Sequence, residues 1–169
     1  MVAEVLVLVA LPLLLAVAAG WDLASFTIPN ILSLALLALF AVFAVAAGLG
    51  LPAIGWHLLA GLAGLFIGFA LFALGWIGGG DAKLFAAVTL WLGFHDIAPY
   101  ALLASVFGGV LTLGLMLMRQ CPLPDVLARQ GWITRLHDAR SGIPYGVALA
   151  AGAFALLPST EIFRLAATV

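Results

Sequence analysis

Long apolar runs, each bounded by turn or charged residues, dominate this sequence and limit what it can fold into. They lie near residues 3–21, 31–50, 55–77, 82–94, 97–118 and 143–158. A helix that crosses the hydrocarbon core of a membrane needs about 20 predominantly apolar residues. The pattern therefore predicts an all-α polytopic membrane protein with about six transmembrane helices in a single domain over residues 1–169.

The composition excludes a soluble domain. Hydrophobic residues make up 66% of the chain and charged residues only 8%, so a soluble fold would expose a mostly apolar surface. The first run follows Met1-Val2-Ala3-Glu4, which lacks the positive charge that opens a secretory signal peptide. We therefore expect a retained first span. The alternative is a signal cleaved near residues 18–20, which would leave Asp22 at the new terminus.

Metal and redox chemistry are not expected. Cys121 is the single cysteine, so neither an internal disulfide nor a CxxC zinc site can form. The histidines, His57, His95 and His137, fall at predicted span ends or in different loops. The sequence therefore predicts no metal site and no cofactor.

The fourth apolar run is short. Its thirteen residues, 82–94, would rise about 20 Å as a helix, against a hydrocarbon core of about 30 Å. We expect this helix to begin inside the membrane after a non-helical turn formed by Gly78-Gly79-Gly80. Irregular backbone at that depth is tolerated only within protein or beside water.

The basic residues predict the orientation. Arg119, Arg129, Arg135 and Arg140 all lie in the one long connection, which the positive-inside rule places in the cytoplasm. With six spans, the turns at 22–30 and 78–81 then fall on that same side, so Asp22 and Asp81 should lie together. Trp132 and Ile133 in this connection suggest an interfacial helix, and its arginines should meet anionic lipid headgroups.

The third apolar run carries a face of small residues. Ala60, Gly64 and Gly68 recur at intervals of four, which lets two membrane helices pack closely. We interpret this face as structural.

Asp22 and Asp81 are the candidates for chemistry. Carboxylates in or near hydrocarbon are costly and usually mark a functional site. Two carboxylates brought together tend to share one proton, which leaves one as general base and the other as general acid. This is the chemistry of aspartyl proteases. The structural alternative is that both are interfacial caps, since Asp81 directly precedes a predicted helix and could satisfy its free N–H groups.

Two motifs around these aspartates resemble those of a known family. Asp22-Leu23-Ala24-Ser25-Phe26-Thr27-Ile28-Pro29-Asn30 matches a D-x5-I-P-N pattern, and Gly78-Gly79-Gly80-Asp81-Ala82-Lys83-Leu84 matches a GxGD-x-K-L pattern. Together they resemble the type IV prepilin peptidases, a group of the GxGD intramembrane aspartyl proteases. The resemblance covers essentially the whole chain.

The resemblance implies an activity and its partners. Asp22 and Asp81 would be the catalytic pair of an endopeptidase that removes the leader peptide of a prepilin or pseudopilin. The cut would follow a glycine at the cytoplasmic border of the substrate's hydrophobic helix, in the bacterial inner membrane. Membrane lipids are the other expected partner, and no nucleic acid is. The short form, without the paired cysteines and N-methyltransferase activity of longer members, resembles the CpaA/TadV branch that serves Flp-type pili.

Further residues of these motifs are candidates for binding substrate or shaping the site. Gly78 and Gly80 should allow positive φ angles and close approach of a substrate backbone. Lys83 lies two positions beyond Asp81, and residues two apart on a helix do not face each other, so we expect it to snorkel to headgroups. Pro29 and Asn30 belong to the first motif, and Asn30 is expected to cap the second span.

A third element, Ile143-Pro144-Tyr145-Gly146, resembles the family's late Pro-Tyr-Gly and could line a substrate groove. Proline in a first helical turn beside an interfacial tyrosine would give the same pattern without any function. One departure concerns Leu23 to Thr27, which contains none of the basic residues that the family often carries there. This puts in doubt any contact made through those positions.

The sequence is also compatible with two other functions. Intramembrane carboxylates also serve proton relays, so a small proton-coupled transporter is the main rival, although we find no convincing internal repeat of the kind transporters show. A non-catalytic subunit of a pilus assembly machine is the other. The sequence leaves open which pilin is cut, the oligomeric state and the spacing of the two aspartates.

Overall fold

The structure is a computed structural model that describes residues 2–168, and the side chains of residues 2–166. It is built from helices, and the described residues contain no strand. The helices are α1 (Val2–Ser25, with a π-helical stretch at Leu6–Ala10), α2 (Asn30–Ala46), α3 (Leu51–Ala73), α4 (Gly79–Leu92), α5 (Ile97–Met118), α6 (Asp125–Ala128), α7 (Gly131–His137), α8 (Tyr145–Leu156) and α9 (Glu161–Thr168).

Within residues 2–168, three helical segments are long and apolar enough to cross a membrane. They are Val2–Ser25, Leu51–Ala73 and Phe94–Met118, the last of which includes a 3-10 turn before α5. Asn30–Ala46 and Tyr145–Ser159 are shorter apolar helices. The prediction of an all-α polytopic membrane protein is confirmed, and each predicted run has a helix at its position. The number of spans stays a prediction.

Helix α4 lies in the centre of the bundle. It has 14 residues, and its Trp91 packs against Phe40 and Phe43 of α2 with ring centroids 5.5 and 5.4 Å apart. The Trp91 indole N–H also donates to the carbonyl oxygen of Leu36 at 3.0 Å. A helix enclosed by protein does not need the length that matches a bilayer, which accounts for the short fourth run. Its buried residues are Asp81, Ala82, Leu84, Phe85, Ala87, Val88, Thr89, Leu90, Trp91 and Leu92.

The small-residue face of α3 packs directly on α4. Ala60, Gly64 and Gly68 are the buried residues of α3. A Cβ added to Gly68 would lie 2.9 Å from the carbonyl oxygen of Ala82, and one added to Gly64 would overlap the side chain of Thr89. The two backbones can approach this closely only because side chains are absent here. The predicted packing role of this face is confirmed.

The turn before α4 differs from the prediction. Gly79 and Gly80 are already the first helical residues of α4, and Gly78 precedes it with φ −74° and ψ 157°. The positive φ in this turn belongs to Gly75, at 73°. The expectation of a non-helical Gly78-Gly79-Gly80 turn with positive φ at Gly78 and Gly80 is therefore wrong. Residues 74–78 turn the chain instead, which starts α4 three residues earlier than predicted.

Candidate active site

Asp22 and Asp81 line one cavity. Asp22 lies near the end of α1 and Asp81 in the first turn of α4, and their side chains are buried, with only 4% and 8% of their surface exposed. The cavity has a volume of about 300 Å³, and both aspartates line it. The prediction that both aspartates lie at the same end is confirmed. The cavity is lined by Asp22, Phe26, Thr27, Ile28, Gly78, Gly79, Gly80 and Asp81.

Asp81 combines a capping contact with a free oxygen. Its Oδ2 accepts a hydrogen bond from the main-chain N–H of Gly78 at 2.9 Å. Asp81 makes this capping contact from inside the first turn of α4, because the helix begins at Gly79 and not after Asp81 as expected. Its Oδ1 is buried and has no hydrogen-bond partner among the described residues. A buried polar atom without a partner is costly in a purely structural role. The hydrogen bonds of the protein therefore account for only one of the two oxygens of Asp81.

Asp22 is held by a residue far along the chain. Its Oδ2 accepts a hydrogen bond of 2.7 Å from the main-chain N–H of Gly146. A Cβ on Gly146 would lie 2.8 Å from that oxygen and 2.8 Å from Cδ1 of Ile28. Only glycine lets the start of α8 approach Asp22 this closely. Each aspartate is thus fixed through Oδ2 by one main-chain N–H group.

The remaining residues of the Pro-Tyr-Gly element lie around this contact. Pro144 is buried and directly precedes α8, so Gly146 belongs to the first turn, whose N–H groups have no partner within the helix. The ring of Tyr145 is not among the residues that line the aspartate cavity. It packs against α5, where a Cβ on Gly108 would lie 3.1 Å from it.

The segment between α1 and α2 closes one side of the cavity. Phe26 has a left-handed backbone conformation with φ 57°, which is uncommon for a bulky residue, and its N–H donates to the carbonyl oxygen of Asp22 at 2.7 Å. This turn brings Ile28 against α4, where a Cβ on Gly80 would lie 3.1 Å from Cβ of Ile28. Gly80 therefore permits close approach of the protein's own backbone at this point.

The motifs alone do not predict that Phe26, Thr27 and Ile28 form this wall of the cavity. The isoleucine of the D-x5-I-P-N pattern is the one signal in the sequence that points to it.

A hydrogen bond joins the two motifs outside the cavity. The Lys83 ammonium donates to Oδ1 of Asn30 at 2.8 Å. Asn30 is the first residue of α2, Pro29 occupies the cap position, and no side-chain cap bond forms there, so the expectation that Asn30 caps this helix is wrong. Its side chain turns to α4 instead, because Lys83 supplies a charged donor at that distance.

The arginine-rich connection lies at the same end of the bundle. A guanidinium N–H of Arg135 donates to the carbonyl oxygen of Ala24, near the end of α1, at 3.4 Å. Arg119 donates to the carbonyl oxygens of Leu136 at 3.0 Å and Gly142 at 2.7 Å. These contacts order the chain that leads into Pro144 and Gly146.

Comparison with known proteins gives a family match over most of the chain. The family model described as "Type IV leader peptidase family" matches residues 9–113, a range that includes both aspartates and both motifs. A prepilin leader peptidase/N-methyltransferase of Aeromonas hydrophila is 31% identical over 131 residues, covering 68% of this chain and 43% of the relative. The protein of the same name from Aeromonas salmonicida (strain A449) is 32% identical, with the same coverage. The chain thus spans less than half the length of these curated relatives. No solved structure gives a significant match.

Proposed function

Since the chain belongs to the type IV leader peptidase family, we propose that it is an intramembrane aspartyl endopeptidase that removes the N-terminal leader of type IV prepilins or pseudopilins. The observation that carries the proposal is the single cavity lined by two buried aspartates, Asp22 and Asp81. A structural role for either residue does not explain why two costly carboxylates share one small cavity. Acid–base catalysis by the pair explains why both carboxyl groups lie in this cavity.

The mechanism follows from the geometry of the pair. Two neighbouring carboxyl groups share one proton, so one acts as base and the other as acid. The base takes a proton from water, the water attacks the scissile carbonyl, and the acid protonates first the carbonyl oxygen and then the leaving amine. The N–H groups of Gly146 and Gly78 hold Oδ2 of Asp22 and Asp81. This fixes the carboxyl groups while their other oxygens react.

The proposal also includes the side of the membrane that the site faces and the type of prepilin that is cut. The site faces the cytoplasmic border of the bacterial inner membrane, because the arginine-rich connection lies at the aspartate end and arginine-rich connections stay in the cytoplasm. We further propose that the substrates are Flp/Tad-type prepilins, as the resemblance to the CpaA/TadV branch implies.

The test is leader cleavage in membranes. We would co-express the protein with a Flp-type prepilin, and in parallel with a type IV prepilin of the kind cut by bifunctional peptidases, and follow the gel shift. Wild type should cleave, with the Flp-type substrate cut faster, and Asp22→Asn and Asp81→Asn should each be inactive. The matched control is Asp125→Asn, which changes an exposed aspartate of α6 and should cleave at the wild-type rate.

The outcomes separate the proposal from its rivals. Cleavage at the wild-type rate by either dyad variant would remove that aspartate from the mechanism. No cleavage of any prepilin by wild type at normal membrane abundance would favour the proton-coupled transporter or the non-catalytic assembly subunit. Faster cleavage of the type IV prepilin would leave the peptidase standing and overturn the Flp assignment.

A further inference from the structure

Tyr100 lies in the interior of the bundle and does not line the aspartate cavity. It belongs to the first turn of α5, and its side chain is completely buried, with 0% of its surface exposed. A phenylalanine would fill the same apolar space without a hydroxyl group that needs a partner. The contacts of the ring and the hydroxyl group show which parts of the bundle Tyr100 joins.

The ring and the hydroxyl group of Tyr100 contact different helices. The ring stacks on the ring of Phe85 in α4, with centroids 5.1 Å apart and an angle of 18° between the planes. The hydroxyl group donates a hydrogen bond of 3.2 Å to the carbonyl oxygen of Leu149 in α8. Phe85 and Leu149 are buried as well. Tyr100 thus joins α4 to α8 inside the bundle.

Both contacts lie one helical turn from a residue of the aspartate site. In α4, Phe85 follows Asp81 by four residues. In α8, Leu149 follows Gly146 by three residues, and Gly146 donates its N–H to Oδ2 of Asp22. Residues at these intervals lie on one face of a helix, about 5–6 Å apart. The link therefore runs from the helix that carries one aspartate to the helix that holds the other.

Small residues allow α5 and α8 to approach closely beside this link. A Cβ added to Gly152 would lie 3.0 Å from the main-chain nitrogen of Ala104, which is one turn beyond Tyr100. A Cβ added to Gly108, a further turn along α5, would lie 3.1 Å from the ring of Tyr145. Close-packed helices transmit a displacement to each other because no empty space absorbs it. A bond at this interface can therefore fix the position of α8.

We propose that Tyr100 is a positioning residue, which sets the distance between the carboxyl groups of Asp22 and Asp81. This inference rests on the proposed function, in which both groups act on the same peptide bond. The two aspartates lie on different helices, so their separation depends on how those helices are held. The stacked ring of Tyr100 supports α4, and its hydroxyl group supports α8, whose Gly146 holds Asp22.

The alternative is that Tyr100 only stabilises the fold. Trp91 offers a comparison, because its indole N–H donates to the carbonyl oxygen of Leu36 at 3.0 Å and joins α4 to α2. Helix α2 carries no aspartate. Tyr100 and Trp91 thus make the same kind of buried bond to a main-chain oxygen. Of the two, Tyr100 connects α4 to the helix that holds Asp22.

The first experiment compares Tyr100→Phe with Trp91→Phe in leader cleavage of the Flp-type prepilin at matched membrane abundance. Tyr100→Phe removes only the hydroxyl group, and kcat should fall about tenfold, because a misplaced catalytic group slows the chemical step. KM should stay within about twofold of wild type, since no contact with the substrate is lost. Both variants should unfold at a lower temperature than wild type, since each loses a buried hydrogen bond.

The control in this experiment is the kcat of Trp91→Phe, which should stay within about twofold of wild type, as expected for a change that affects only stability. Equal losses of kcat in the two variants would mean that Tyr100 acts only through the stability of the fold. A wild-type kcat in Tyr100→Phe would overturn the inference directly.

The second experiment asks whether Tyr100 acts through the contact between Gly146 and Asp22. Once Gly146→Ala has displaced the carboxyl group, adding Tyr100→Phe should lower kcat further by less than about twofold, because both changes disturb the same contact. Independent effects would instead multiply. A double variant whose loss equals the product of the two single losses would contradict a role through this contact.

Phe85→Leu tests the other half of the link and keeps the inference testable if Tyr100→Phe does not accumulate in the membrane. It removes the stacked ring and keeps an apolar side chain, so kcat should fall about fivefold or more with little change in KM. A wild-type kcat would contradict the role of the stacked rings.

The outcomes also separate this inference from the proposed function. If wild type cleaves the prepilin and the variants of Tyr100 and Phe85 cleave it at the same rate, the positioning role fails and the peptidase stands. If wild type cleaves no prepilin, the proposed function fails and this inference fails with it.

Discussion

The main-chain N–H of Gly146 donates a hydrogen bond of 2.7 Å to Oδ2 of Asp22, a residue 124 positions earlier in the chain. This contact connects the start of α8 to the end of α1 and orients one carboxyl group of the proposed pair. It gives the late Pro-Tyr-Gly element a physical role, as the support of an aspartate.

Replacing Gly146 by alanine should disrupt the site without unfolding the bundle. The new Cβ would lie 2.8 Å from Oδ2 of Asp22, so the carboxyl group must move. Displacing a catalytic group by about 1 Å can lower the rate about a hundredfold. We expect prepilin cleavage to fall about ten- to a hundredfold. The control is Gly109→Ala, where a Cβ meets nothing within 4 Å. Wild-type cleavage by Gly146→Ala would show that this contact does not position Asp22.

The packing of α3 on α4 can be tested at Gly64. A Cβ there would overlap the side chain of Thr89, and overpacking of this kind costs about 1–3 kcal/mol. Gly64→Ala should therefore lower the midpoint of thermal unfolding in detergent by several degrees. Gly55→Ala lies on the same helix with nothing within 4 Å of the added Cβ, and its unfolding midpoint should be unchanged or slightly higher. Equal midpoints for the two variants would contradict the close packing.

The bond between Lys83 and Asn30 should appear as coupling in a double-mutant cycle. Lys83→Met and Asn30→Ala each remove the same 2.8 Å hydrogen bond, so the double variant should be no worse than the more affected single one. An exposed charge-assisted bond of this kind should give a coupling free energy of about 0.5–1 kcal/mol. The measurement is kcat/KM for leader cleavage by all four proteins. Strict additivity would mean that the bond contributes nothing to the site.

Arg119 should hold the long connection in place. It donates to the carbonyl oxygens of Leu136 and Gly142, so Arg119→Gln should loosen residues 120–143 and speed chymotrypsin cleavage after Trp132. Because this segment leads into Gly146, leader cleavage should fall as well. The control is Arg129→Gln, an exposed arginine in the same connection, which should resemble wild type in both assays. Equal proteolysis of the two variants would argue against this role.

The sequence determined the features that depend on local pattern. Apolar runs located every long helix, intervals of four between small residues identified the face of α3 that packs on α4, and the two motifs located Asp22 and Asp81. Each of these patterns can be recognised from residues that are close together in the sequence. The same local pattern predicts the wrong turn before α4, because three consecutive glycines fit a loop and a helix start equally well. Packing of Gly80 against Ile28 favours the helix.

Only the tertiary structure decided which groups meet across the bundle. The pairing of Gly146 with Asp22, of Lys83 with Asn30 and of Ile28 with Gly80 depends on how α1, α2, α4 and α8 pack, and no single segment carries that information. The same holds for the short α4, whose length follows from enclosure by its neighbours. Local pattern fixes where helices form and which faces are small or polar. The packing of whole helices against one another then determines which atoms come within hydrogen-bond distance.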